Sequence, residues 1–365
     1  MNTNRREFLA NTLWLGATVA AAGCVNARNK LTGASGAPMQ GYADKPLKRV
    51  RVGIAGVGYR GIDAVDYISQ LPNTEVAALC DLYRERIDLG NRLLVEKSGK
   101  PKAKRTFVGP EAYKAMCEWD GVDVIYVTAP WLLHVTIARC ALAAGKIALV
   151  EVPSALTIDE TYAKAKYGAG TELGDLKVKM GDVNTTLIRT ALGRSIQVRH
   201  NVATPQRGYR YEMITGSNGI WGGFPDKLYF KGHGAPETED EAFFDEKTYN
   251  AMREKYKHPC WKAGGAAADV VGGHGGMDFM MGLRWTYCLQ AGIPLDFDVY
   301  DLASWCSICE LSERSCTNGS RPVEFPDYTR GAWKTTPPAP LATFKPGVID
   351  LNPDSYRKNK EAMRI

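Results

Sequence analysis

The sequence predicts two domains: a doubly wound α/β domain with a parallel sheet, then an α+β domain with a largely antiparallel sheet. Three observations predict this. Apolar runs alternate with helical patterns between residues 49 and 161. The first run breaks into Gly56, Gly58 and Gly61, spaced G-x-G-x-x-G. Beyond Leu173 short strands follow one another, separated by tight turns such as Gly181–Asp182 and Leu192–Gly193.

Strand Val50–Ala55 rests on the β-favouring residues Val50, Val52 and Ile54. In the loop after it, the first glycine permits a tight turn, the second lets backbone approach a pyrophosphate, and the third lets helix pack on strand. The helix runs from about Gly61 to Gln70, and its start favours an anion. Strand Glu75–Cys80 ends at Asp81, twenty residues past Gly61, where an acidic side chain suits ribose hydroxyls and disfavours a 2′-phosphate. The helix Tyr83–Lys97, strand Lys104–Val108 and helix Pro110–Glu118 follow. Val122–Thr128 is a nearly continuous apolar run, as in a buried parallel strand. The helix Leu132–Ala144 and strand Lys146–Val152 complete the alternation. The ends of the fourth and fifth strands deliver Trp131, His134 and Glu151 to the side where such sheets bind ligands. A carboxylate at a strand end, like that of Glu151, is expensive without a task or a partner.

A full dinucleotide fold has a sixth strand. Here Leu156–Lys166 reads as a helix and Tyr167–Leu173 as a glycine-rich loop, so the last strand of this Rossmann domain is missing from the pattern. The second domain, 162–334, reads as strands Asp175–Gly181, Asn184–Ala191, Ser195–Asn201, Arg210–Thr215 and Gly219–Gly222. Pro225–Asp245 reads as an acidic loop. Helices are expected at Thr248–Tyr256, Met277–Gln290 and Asp298–Ser315. Gly264–Gly276 is a glycine- and alanine-rich tract holding one histidine, His274. The proline-rich stretch from Thr335 to residue 365 reads as an extended arm.

A chain of 365 residues with 45% hydrophobic and 24% charged residues can build two cores. The net charge of +6 is spread over termini and linkers, and no helix interleaves a basic face with aromatics, which argues against nucleic-acid binding. Of nine cysteines most lie in apolar runs and read as small buried hydrophobes. Cys306 and Cys309 form C-x-x-C, but no second pair or nearby histidine completes a metal site.

The N-terminus reads as an export signal. Arg5–Arg6 before Phe8–Leu9 resembles a twin-arginine signal, and the apolar run Leu13–Ala22 is too short to span a membrane. Ala21–Ala22–Gly23–Cys24 resembles a lipoprotein processing site with Cys24 acylated; the alternative is a plain signal peptide cut near Ala22. Residues 1–24 therefore stand outside the fold, and 25–48 read as a flexible tether. The expected location is the periplasm or cell envelope of a bacterium. A dinucleotide is scarce there, so a protein that folds around its cofactor before crossing would suit the twin-arginine route.

Several longer stretches carry a family resemblance: RVGIAGVGYRG at 51–61, APWLLH at Ala129–His134, AAGKIALVEVPSALT, GDVNTTLIRTALGRSIQV, HPCWK at His258–Lys262, GGHGGMDF at Gly272–Phe279 and DVYDLASW at Asp298–Trp305. The chain resembles glycoside hydrolase family 109, the NAD-dependent α-N-acetylgalactosaminidases, within the glucose–fructose oxidoreductase/inositol dehydrogenase superfamily. The resemblance implies NAD contacts from Tyr59, Arg60, Asp81, Trp131, His134, Glu151 and Val152, beside Gly56, Gly58 and Gly61. It implies that Tyr209 contacts substrate and that His274, on a mobile glycine loop, transfers protons. It further implies cleavage of a terminal α-N-acetylgalactosamine of a glycan by transient oxidation at C3, elimination of the C1 substituent and addition of water. Gly208 departs from the proline usual before that tyrosine. A larger departure is a missing internal segment near Thr161/Tyr162, which in the family holds the sixth strand and several sugar contacts. Its loss would leave a strand edge unpaired beside the first strand and impair activity. The competing readings are an NAD-linked sugar dehydrogenase, which would show a Glu-Lys-Pro motif where Glu151–Val152–Pro153 stands, and a non-catalytic NAD- or sugar-binding remnant. The oligomeric state stays open, with a homo-oligomer one possibility.

Overall fold

A computed structural model describes residues 41–151, 170–171, 183–201, 212–223, 226–232, 243–337 and 340–362. Cys24, Val152 and Tyr209 lie outside the described residues, as do the export signal, the expected helix Leu156–Lys166 and the expected strand Asp175–Gly181.

The first domain alternates strictly. It runs β1 (Val50–Ala55), α1 (Tyr59–Ser69), β2 (Thr74–Asp81), α2 (Arg84–Arg92), β3 (Arg105–Val108), α3 (Ala112–Glu118), β4 (Val124–Val127), α4 (His134–Ala143) and β5 (Ile147–Val150). A π-helical turn, Leu93–Lys97, extends α2, and a 3₁₀ turn, Trp131–Leu133, precedes α4. The five strands form one parallel sheet in the order β3-β2-β1-β4-β5. Among the described residues β5 forms one edge. The expected unpaired edge beside the first strand is not found: β1 lies at the centre of the sheet, paired to β2 and β4.

The two faces of the sheet bury different sets. Val50, Val52 and Ile54 of β1 point to one face, where Val65 and Ile68 of α1 join them in the larger core. Ala55 points to the other, with Phe107, Met116, Ile125, Val127 and Ile137. Gly53 belongs to this second face, where a Cβ would stand 3.0 Å from Met116 Sδ, so its lack of a side chain lets α3 approach the sheet.

The second domain contributes two small antiparallel sheets among the described residues. One pairs β6 (Val183–Arg189) with β7 (Ser195–Asn201). The other orders β8 (Met213–Gly216), β9 (Gly219–Gly222) and β10 (Lys227–Phe230), with β9 central. The strand β10 lies where the sequence reads as acidic loop; its four residues are too short for a period-2 signal, and pairing with β9 holds them extended. Helices α5 (Glu246–Tyr256), α6 (Pro259–Val271), α7 (Met277–Ala291) and α8 (Val299–Thr317) follow, with α8 opened by an Asp298–Asp301 capping box.

Helix α6 is the main element hidden by composition. Its Gly264 and Gly265 suggest a loop, yet Gly264 faces Met280 of α7, where a Cβ would come 3.1 Å from the methyl carbon. Small residues there let the two helices pack closely. The larger core continues through α6 and α7 by way of Ala267, Ala268, Phe279, Leu283 and Tyr287, so these helices pack on the same sheet face as α1.

Two described segments, 46–47 and 343–345, rest on α7. Pro46 sits against Gly292 and Leu47 donates its N–H to Leu289 at 2.9 Å, so the tether is docked before β1 begins. The tail is not wholly extended. Residues 340–352 cross α6 and α7, with Arg284 donating to the Thr343 carbonyl at 2.7 Å while ion-paired to Asp296. The chain then forms α9 (Pro353–Ala362), because buried Tyr356 packs edge-on to Phe279, with ring centroids 5.2 Å apart, and draws that turn onto the core. All eight described cysteines are free. Burial pushes the thiols of Cys80 and Cys288 up to about 12 and about 11, so both stay protonated as apolar filling. Among the described residues no helix is long and apolar enough to cross a membrane. Replacing Tyr356 with Ala removes a ring buried against Phe279 and is expected to lower stability by about 3 kcal/mol, read by urea unfolding.

Candidate functional site

The glycine loop joins β1 to α1. Gly56 has φ +96°, and a Cβ on it would lie 2.6 Å from the Ala129 backbone nitrogen. A Cβ on Gly61 would lie 2.0 Å from the Gly56 carbonyl oxygen. Both glycines are therefore demanded by the fold itself. Gly58 differs: a Cβ there would meet only the tip of Arg86, at 3.3 Å. Gly58 caps α1 without a side-chain hydrogen bond, and the first turn carries no acidic residue. That helix start keeps donors open to an anion. Arg86 on α2, which sequence reasoning did not single out, brings a guanidinium beside it; its place on the first turn after Asp81 was the available signal.

Three observations test whether a dinucleotide fits. First, the space beside Gly58 is open where a pyrophosphate would need it. Second, Asp81 Oδ2 accepts the Val57 N–H at 2.6 Å and Oδ1 accepts the Tyr83 N–H at 3.0 Å. The carboxylate thus stiffens the loop and keeps lone pairs for ribose hydroxyls. Third, His134 is buried and its Nε2 lies 2.7 Å from the Ala129 carbonyl. A carbonyl only accepts, so Nε2 holds the proton, and Nδ1 is a buried acceptor with no partner among the described residues. A carboxamide N–H would satisfy it. The residues fit the group. Tyr59, 91% exposed, and Trp131, 43% exposed, offer open aromatic faces on the same side of the sheet.

Glu151 and Arg60 sit in a polar chain. Tyr67 donates to Tyr126 at 2.8 Å, and Tyr126 donates to Glu151 at 2.5 Å. Burial, then the neighbouring Tyr67 and Glu151, hold the Tyr126 hydroxyl far above its ordinary pKa, so it remains a donor. Arg60 Nε donates to the same Glu151 oxygen at 2.9 Å. Its two terminal nitrogens grip both oxygens of Asp278 at 3.1 and 3.0 Å. Asp278, at the start of α7, also lies 2.7 Å from Nδ1 of His274. Burial alone would raise the Asp278 carboxyl pKa, but Arg60 and His274 outweigh it, and the net shift is downward. Arg60, which the resemblance assigns to the cofactor, is thus bound to Glu151 and Asp278 in this structure.

His274 lies within Gly272–Gly276, where every residue has positive φ, including His274 itself at +46°. A side chain in that region costs roughly 1 kcal/mol, and the glycines around it carry the rest of the turn without steric cost. The imidazole is 62% exposed while its Asp278 partner is only 8% exposed. A cleft of about 180 Å³ opens beside it, lined by Asp63, Tyr67, Gly273, His274 and Asp278. Sequence reasoning missed Asp278, although its i, i+4 spacing from His274 was visible. Among the described residues no cluster could hold a metal ion.

An α/β domain with a glycine-loop dinucleotide site, joined through Arg60 and Asp278 to an α+β domain, defines a protein of the NAD-dependent oxidoreductase fold. Residues 50–168 match the oxidoreductase family with NAD-binding Rossmann fold, and residues 146–335 match the C-terminal domain of glycosyl hydrolase 109. The chain belongs to glycosyl hydrolase family 109. It is 30% identical to glycosyl hydrolase family 109 protein 5 of Phocaeicola vulgatus, over 81% of this chain and 80% of that protein. It is 29% identical to a family 109 protein of Solibacter usitatus, over 92% of this chain and 99% of that protein. The second alignment runs over 451 positions, more than the 365 residues here, so that relative carries positions with no counterpart in this chain. Among solved structures, levoglucosan dehydrogenase in complex with NADH and L-sorbose superposes with a TM-score of 0.53 at 13% identity, over 76% of this chain and 99% of that one, a likeness of fold.

The two kinds of glycine separate experimentally. Gly61→Ala is expected to unfold the domain or lower its melting temperature by several degrees, on the order of 2 kcal/mol. Gly58→Ala is expected to melt like the parent yet lose NAD binding by calorimetry. Equal NAD binding by Gly58→Ala would remove the loop from the cofactor site.

Proposed function

We propose that the chain is an exported, NAD-dependent glycosidase that removes terminal α-N-acetylgalactosamine from glycans, and that its turnover is impaired by the missing segment near Thr161/Tyr162. The observation that carries the reading is the solvent-facing His274, bound to Asp278 and through it to Arg60 of the glycine-loop helix, in a chain of this family. Bound NAD supplies a reversible hydride acceptor, so a sugar carbon can be oxidised and later reduced without net redox change. Gly56, Gly58, Tyr59, Gly61 and Asp81 hold the adenosine and phosphate half. Trp131, His134, Glu151 and Val152 flank the nicotinamide half. His274 moves a proton at C2 of the sugar, a task suited to imidazole near neutral pH. Its glycine flanks let the loop yield as substrate enters. Tyr209 contacts the sugar in this reading.

The test is mass spectrometry of the purified protein for bound NAD, followed by assay on a nitrophenyl α-N-acetylgalactosaminide. NAD is expected to co-purify, with hydrolysis well below that of a full-length relative and restored by grafting the relative's segment. Absence of NAD would overturn the reading. Full hydrolysis without the graft would overturn the impairment, and net NADH production from free sugar would identify a dehydrogenase instead.

The N-terminus supports export and membrane attachment through Cys24. Changing Arg5–Arg6 to Lys–Lys is expected to keep the protein in the cytoplasm, and Cys24→Ala to release it from the membrane fraction. Unchanged fractionation of both variants would refute this part of the proposal.

A further inference from the structure

We propose that Asp278 is the positioning residue of His274, and that Arg60 makes it so by claiming the carboxylate from the dinucleotide side. The proposal rests on the proton-transfer role given to His274 above. Three geometric facts support it. Asp278 is buried and is gripped through both oxygens by Arg60. The same Oδ2 meets Nδ1 of His274 at 2.7 Å. The imidazole otherwise stands open to solvent.

The chemistry follows from donors and acceptors. A guanidinium has only donors, and an ionised carboxylate only accepts. Asp278, ionised against Arg60, forces the proton of neutral His274 onto Nδ1. The Nε2 lone pair then points away from Asp278, free to take a proton from a substrate. The carboxylate also favours the imidazolium that results, which is the role of the aspartate in hydrolase triads. Because His274 sits on a glycine-rich turn with positive φ throughout, the backbone alone fixes its ring poorly; Asp278, on the rigid first turn of α7, supplies the fixed point. Arg60 in turn belongs to the first turn of α1, the helix that opens at the glycine loop. A side chain that senses the cofactor loop thereby orients the base.

The deciding experiment is long-range proton–nitrogen NMR of the full chain labelled with ¹⁵N-histidine, the His274 signal being identified by its loss in His274→Gln. The expected result for the parent is a neutral His274 ring protonated at Nδ1. Asp278→Asn is expected to change this: whichever way the amide turns, its NH₂ meets an Arg60 N–H donor to donor, so the two-oxygen grip is lost and the ring shifts from the Nδ1–H form toward the Nε2–H form that free imidazole prefers. The same variant is expected to lose about 10²–10⁴-fold in kcat with KM little changed. Should Asp278→Asn fail to fold, the parent spectrum alone decides. A parent ring protonated at Nε2 overturns the proposal whatever the activity, as does a folded Asp278→Asn with unaltered tautomer. Because the tautomer is read without turnover, a parent that shows the Nδ1–H ring but no hydrolysis upholds the positioning and counts against the glycosidase reading only.

Discussion

The grip of Arg60 on Asp278 joins positions 218 residues apart in sequence and ties the dinucleotide helix to the second domain. Its placement is demanding. Arg60 must lie on the first turn of α1, where the glycine loop sets the helix direction, and Asp278 on the first turn of α7. Both are largely withdrawn from water, so either charge left alone would be costly, and loss of one partner is expected to cost about 2–4 kcal/mol at such partly buried positions. Sign and pH follow from the carboxyl. Its folded pKa lies below the ordinary 3.8, so its stabilisation is complete above that value and drains away as pH falls through the folded pKa.

Around this pair the molecule divides into a rigid part and a yielding one. Core residues from β1, α1, α6 and α7 share one cluster, and Tyr356 from the tail closes it. The polar chain Tyr67–Tyr126–Glu151–Arg60–Asp278 lies along its upper edge, each donor matched to an acceptor. The chain opens most widely to solvent at His274, within five consecutive residues of positive φ. The proton-transfer role proposed for His274 asks it to move a little and still return to one orientation. A glycine turn gives the motion and a buried carboxylate the return.

Much of the first domain was legible in sequence because its signals are local. A continuous apolar run such as Val122–Thr128 has few readings besides a buried strand, and G-x-G-x-x-G after a strand has a steric cause that Gly56 and Gly61 display directly. What escaped is tertiary. The helix α6 looks like loop because Gly264 is chosen for contact with Met280 rather than for flexibility. The tail reads as extended because its prolines dominate until Tyr356 finds Phe279. Asp278 escaped because nothing in GGHGGMD says that its partner is an arginine in the first helix. The His274 position itself was legible, since glycines on both sides of a histidine have little purpose in a core.

The same geometry explains why the two halves of the cofactor site should depend differently on chain length. The proposed adenosine half lies between β1 and β2 at the middle of the sheet, where each strand has a neighbour on both sides. Asp81 and the glycine loop hold each other through the Val57 N–H, and Thr128 donates to the Gly56 carbonyl at 2.5 Å. The other half lies toward β5. Glu151 directly follows that edge strand, and His134 keeps a buried Nδ1 that no described residue satisfies. Among the described residues β5 pairs on one side only; the Glu151 N–H donates to the Val127 carbonyl of β4 at 3.1 Å, and its carboxylate is placed by Arg60 and Tyr126. A segment missing after β5 would therefore weaken the nicotinamide and sugar contacts first. Arg60, drawn toward Asp278 from the intact side, would with Tyr126 keep the Glu151 carboxylate in place without it.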